Sequence, residues 1–157
     1  MARVAIVTGG TRGIGEAISI ALRDMGVTVA ANYMGNDERA NAFTDRTGIR
    51  SYKWDVSDFE SCQQGVRQVE SDLGPVDILV NNAGITRDAT MKRMDHSKWQ
   101  DVIDTNLGGC FNMAKAVFEG MTGRVIDLAV LSCLAVDRAD VDDAAEAALA
   151  HGIDDAA

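Results

Sequence analysis

An α/β fold built on a doubly wound parallel sheet is predicted by three features of this sequence. Strand-like and helix-like patterns alternate strictly between residues 4 and 121. The first strand, Val4-Ala-Ile-Val7, is apolar at every position, as expected of a strand covered on both faces. It then breaks into glycines at Gly9, Gly13 and Gly15 just where a helical pattern begins. A strand, a tight turn and a helix N-terminus follow from that order of residues. The first backbone amides of a helix lack acceptors and sit at the positive end of its dipole, so a phosphate binds there if no Cβ blocks it.

The first helix is expected from about Ile14 to Met25, with Ala17, Ile18, Ala21 and Leu22 on one face and Gly26 as its stop. Val27 to Asn32 is the second strand, which closes a right-handed βαβ unit. Asp37 opens a short helix through Ala42 and Phe43, and Gly48 ends it. Ser51 to Trp54 is a third strand. Ser57 or Asp58 caps the next helix, which runs through Val66 and Val69 to Leu73 and stops at Gly74-Pro75. Val76 to Val80 is the fourth strand, and a long helix covers about Ser97 to Met121.

At 157 residues with 46% hydrophobic content, one domain with a sizeable core is expected. No apolar run approaches bilayer length and no leader pattern is visible, so a soluble, cytoplasmic protein with no membrane partner is expected. Cys62, Cys110 and Cys133 are widely spaced and read as reduced structural thiols, with no metal site. The net charge of −9 argues against nucleic acid as a partner. That charge is concentrated at the end of the chain. Residues 125–157 carry eight of the 24 acidic side chains and only one of the 15 basic ones.

In an open parallel sheet, ligands bind beyond the carboxyl ends of the strands, and Gly9 to Gly15, Asp55 and Asn81 to Gly84 all fall there. A carboxylate about twenty residues past the glycines would bind an NAD ribose, but Asn32, Tyr33, Met34, Gly35 and Asn36 offer none. Arg12, inside the glycine turn, can pair with a 2′-phosphate, or can be a solvated turn residue. NADPH is therefore the expected cofactor.

Thr-Gly-Gly-Thr-Arg-Gly-Ile-Gly at 8–15, Asp55-Val56, Asn81-Asn82-Ala83-Gly84 and Asn106 together resemble the short-chain dehydrogenase/reductase family, over about residues 3–126. Asn-Asn-Ala-Gly-Ile-Thr-Arg-Asp at 81–88 is similar to its 3-ketoacyl reductases. Gly35-Asn36-Asp37-Glu38 and Tyr52 to Val56 lean toward the acetoacetyl-CoA reductases. The resemblance implies a Rossmann-like dinucleotide domain, incomplete here at about five strands, over residues 1–127. It implies cofactor contacts from Gly9, Thr11, Arg12, Gly13, Ile14, Gly15, Asn32, Asp55, Val56, Asn81, Asn82, Ala83 and Gly84, with Asp55 and Val56 on the adenine. Asp55 as a helix cap, and Asn81 and Asn82 as ties within the loop, are the alternatives. Asn106 corresponds to the family's relay asparagine. The implied activity is reduction of a 3-ketoacyl thioester by a homotetramer, as in polyhydroxyalkanoate or fatty-acid synthesis.

Gly123 to Asp127 begins a fifth strand as the family would, and there the resemblance ends, leaving 128–157 as an acidic, Ala-rich tail with a surface helix expected over Asp137 to His151. The family protonates the ketone oxygen with a tyrosine, helped by a lysine four residues later and an upstream serine. Continuing the alignment puts Asp143 at the tyrosine's place, Ala147 at the lysine's and Val130 at the serine's. The only tyrosines are Tyr33 and Tyr52, and no lysine follows Lys115. Ser132 stands two positions late, and neither His96 nor His151 has a nucleophile nearby. The missing helix is also part of the family's interface, so Phe111, Val117 and Phe118 are expected to be partly uncovered and the fold marginal. Two readings follow: a 3-ketoacyl reductase, or a non-catalytic NADP-binding module or frame-shifted remnant.

Overall fold

The computed structural model describes residues 2–122 and the backbone of residues 127–130. The elements run β1 (Val4–Val7), α1 (Gly13–Asp24), β2 (Thr28–Tyr33), α2 (Asp37–Thr47), β3 (Arg50–Lys53), α3 (Phe59–Leu73) and β4 (Val76–Asn81). They continue with α4 (His96–Ile103), a π-helical segment (Asp104–Gly108), α5 (Gly109–Met121) and β5 (Asp127–Val130). The tail helix expected over Asp137 to His151, together with Ser132, Cys133, Asp143, Ala147 and His151, lies outside the described residues.

All pairings among the strands are parallel, in the order β3-β2-β1-β4-β5. The sheet is the predicted doubly wound one, with the direction of winding reversing between β1 and β4. Successive residues of β1 face opposite ways, which explains its unbroken apolar run. Val4 and Ile6 pack with Val66, Val69, Leu79, Met113 and Val117 beneath α3 and α5. Ala5 and Val7 pack with Val29, Phe43, Ile78 and Val80 on the opposite face. Each fully buried side chain of this size, such as Ile6, Leu79 or Phe43, contributes about 1.5–3 kcal/mol.

Helix ends are set by identifiable residues. Asn36, Asp58 and Asp95 cap α2, α3 and α4 by accepting from Arg39, Ser61 and Lys98 amides. Gly48 ends α2 at φ +73°, a left-handed conformation that favours glycine. Asp58, not Asp55, is thus the cap of α3. The long helix expected over 97–121 is present but passes through a π segment, which shifts the register of the side chains beyond it.

One expectation about exposure is corrected. Phe111 and Phe118 are 68% and 60% exposed, and Leu107 beside them 67%, as an uncovered face requires. Val117, however, is only 2% exposed, because its side of α5 packs in the cluster with Val66 and Val69 of α3. Spacing four and seven residues apart places Leu107, Phe111 and Phe118 along one stripe.

Cys62 is buried, and its thiol donates toward the Val56 carbonyl at 3.4 Å. Burial first, then Asp55 and Asp58, push it from an ordinary 9.0 up to about 12. The unfolded thiol therefore loses its proton first. Its contribution to stability is complete below pH 9 and is lost between pH 9 and about 12. Urea midpoints are expected to fall across that window, and Cys62→Ala to flatten part of the fall.

Candidate dinucleotide site

The loop after β1 is held by side chains from three neighbouring segments. Thr8 Oγ1 accepts from the Asn82 and Ala83 amides, both at 2.9 Å, and donates to the Val80 carbonyl at 3.3 Å. Asn82 Nδ2 donates to the carbonyls of Thr8 (2.8 Å) and Gly9 (3.4 Å). Ser19 Oγ donates to the Gly10 carbonyl at 3.1 Å, and the Gly10 amide donates to the Asn32 carbonyl at 2.9 Å. Asn32, 2% exposed, also accepts from the Gly9 amide and donates to the Trp54 carbonyl. A Cβ on Gly15 would collide with the Gly9 carbonyl and lie 2.5 Å from Asn82 Nδ2.

Asn82→Ala leaves two loop carbonyls without their donor. A stability loss of about 1–3 kcal/mol is expected in chemical denaturation, with weaker dinucleotide uptake.

The opening turn of α1 points its amides out of this loop. The first to find a backbone acceptor is that of Glu16, on the Arg12 carbonyl at 3.1 Å. Those before it face the mouth of the crossover, a position suited to an anion. A groove opens there in two adjoining lobes, of about 560 and 350 Å³. Gly9, Thr11, Arg12, Asn32, Asp55, Val56, Ala83 and Gly84 line the larger lobe. Gly13, Ile14, Gly15 and Asn82 join the smaller one, which shares Gly9, Arg12, Ala83 and Gly84 with the first. The structure thus brings together all but two of the residues singled out in the sequence.

The exceptions are Asn81 and Asn106. Asn81 is 3% exposed and its Nδ2 donates to the Cys110 carbonyl at 3.5 Å, behind the groove wall. Asn106, in the π segment, accepts from the Ile85 amide at 2.8 Å and donates to the Ile85 carbonyl at 3.0 Å. It therefore clasps the backbone of a residue that lines the groove. Asn112 does the same for the loop after β3, donating to the Val56 and Ser57 carbonyls at 3.0 and 3.1 Å. Asp55 turns that loop by accepting from the Ser57 amide (2.9 Å) and hydroxyl (2.7 Å).

Arg39 was not singled out in the sequence. It stands in the first turn of α2, exposed, and lines both lobes with Arg12. Among the described residues neither guanidinium is paired with a carboxylate. Asp37, two residues before Arg39, is held by Lys53 Nζ at 2.8 and 2.9 Å and by the Tyr33 hydroxyl at 3.1 Å. Lys53 above all keeps its carboxyl below the ordinary range. The signal for Arg39 was its place three residues after the Asn36 cap, on the helix entered directly from β2.

Comparison with known proteins gives this groove a lineage. Residues 3–139 match the family model described as short chain dehydrogenase. An acetoacetyl-CoA reductase of Paracoccus denitrificans is 55% identical over 136 residues, covering 84% of this chain and 56% of that protein. One from Rhizobium meliloti is likewise 55% identical over 136 residues. This chain thus spans a little over half the length of these relatives. A blue fluorescent protein from a metagenomic library, solved in complex with NADPH, superposes with a TM-score of 0.70 at 32% identity, over 76% of this chain and 51% of that one. With a parallel sheet in this order and a match over most of its length, the chain belongs to the short-chain dehydrogenase family.

Proposed function

We propose that this chain is the NADPH-binding part of a reductase for 3-ketoacyl thioesters of the acetoacetyl-CoA type, and that alone it takes up NADPH without turnover. The observation that carries the reading is the groove itself: helix N-terminal amides freed of side chains at one point and, at another, two guanidinia that no carboxylate pairs among the described residues. The residues present fit a dinucleotide. The glycine loop would hold the pyrophosphate, Arg12 and Arg39 the 2′-phosphate, and Asp55 and Val56 the adenine. The NADPH bound to the metagenomic relative and the names of the relatives support this reading.

When bound, the nicotinamide supplies a hydride to the ketone carbon. The chain's own residues bind and orient: Thr8 and Asn82 fix the pyrophosphate loop, and Asn106 and Asn112 fix the two loops that follow it along the groove. Protonating the ketone oxygen needs an acid. Tyr33 is tied to Asp37 at the end of β2, and Tyr52 donates to Asp72 on another face. Burial raises both phenols, which makes them weaker acids. The exposed stripe of Leu107, Phe111 and Phe118 supports self-association through α5.

Mixing the chain with NADPH and acetoacetyl-CoA and following nicotinamide absorbance tests the proposal. Saturable NADPH binding with no decay of absorbance above background is expected. Turnover at an ordinary enzymatic rate would mean that an acid has been overlooked.

A further inference from the structure

We propose that Lys53 is a selectivity residue: by engaging Asp37 it screens a carboxylate in the helix turn that carries Arg39, and so preserves discrimination in favour of a 2′-phosphate. The inference rests on the NADPH reading above. Asp37 adjoins Asn36, which lines the groove, and lies two residues before Arg39. An unscreened carboxylate there would repel a 2′-phosphate and offer an acceptor to a ribose diol, which is how an acid in this region favours NADH.

The geometry prevents both. Lys53 Nζ donates to both carboxylate oxygens, at 2.8 and 2.9 Å, and the Tyr33 hydroxyl donates to Oδ1 at 3.1 Å. The register Tyr33↔Lys53 between β2 and β3 sets the two donors side by side, so the clasp is built into the sheet. The same contacts tie the first turn of α2 to β3. That turn carries Arg39, whose amide is capped by Asn36 Oδ1 at 2.8 Å. Lys53 and Asp37 are exposed, so the effect is moderate and sensitive to salt.

The test is the ratio of NADH to NADPH dissociation constants, by fluorescence titration, for the wild type, K53M and D37N/K53M, with thermal melts run alongside. K53M is expected to lower the preference for NADPH roughly five-fold at low salt, and less in 0.5 M salt. D37N/K53M is expected to restore it to within about two-fold of wild type, since the charge to be screened is gone. An unchanged ratio in K53M, with NADPH still bound by wild type, overturns the inference. So does a double variant as impaired as K53M, which would make Lys53 a merely structural tie. Wild-type protein that binds no NADPH removes the underlying reading, and the inference with it.

Discussion

Gly15→Ala is expected to abolish saturable NADPH uptake and to lower stability by about 1–3 kcal/mol. The added methyl would collide with the Gly9 carbonyl and press on Asn82 Nδ2, and both belong to the lattice that fixes the loop. Neither can yield freely, because Thr8, Ser19 and Asn32 hold the segment from other sides. The amides of the first turn would then no longer converge on one point. Gly13→Ala provides the contrast. Nothing lies within 4 Å of the Cβ it would add, but its φ of +53° is disfavoured for alanine by about 1–2 kcal/mol. Urea denaturation and NADPH titration of the two variants separate crowding from backbone strain. Wild-type affinity in Gly15→Ala would show that the loop does not hold the phosphates.

Removing both guanidinia, as Arg12→Ala with Arg39→Ala, is expected to weaken NADPH by about 100-fold and to leave NADH within about two-fold. Hydrogen bonds to charged groups contribute about 1.5–3 kcal/mol each, and the 2′-phosphate is the group that these two side chains are proposed to hold. Both line the groove and neither is neutralised by a carboxylate among the described residues. Raising the salt concentration should narrow the gap between the two dinucleotides in wild type but hardly in the variant. Equal losses for NADPH and NADH would instead place these arginines on a part common to both.

What could be read in advance was whatever is local. The unbroken apolar run of β1, the glycines that follow it and the stop at Gly48 each reflect a backbone or burial demand visible within a few residues. The π segment was not legible, since no residue type in Asp104–Gly108 marks a single widened turn inside a longer helical pattern. The burial of Val117 depended on α3, more than forty residues earlier in the chain. Arg39 sits in a helix so polar that its charge resembles any solvated one. Asn106 and Asn112 look like poor helix residues until Ile85 and Val56, 21 and 56 residues away, supply their partners.

On the proposed reading, the β1–α1 loop and the two arginines form one receptor for a 2′-phosphorylated dinucleotide. Titrating the wild-type chain with NADPH while following nicotinamide fluorescence tests it most directly. The groove predicts saturation at one equivalent, with displacement by 2′,5′-ADP and much weaker displacement by 5′-ADP. A linear, unsaturated response from protein whose circular dichroism shows it to be folded would contradict it.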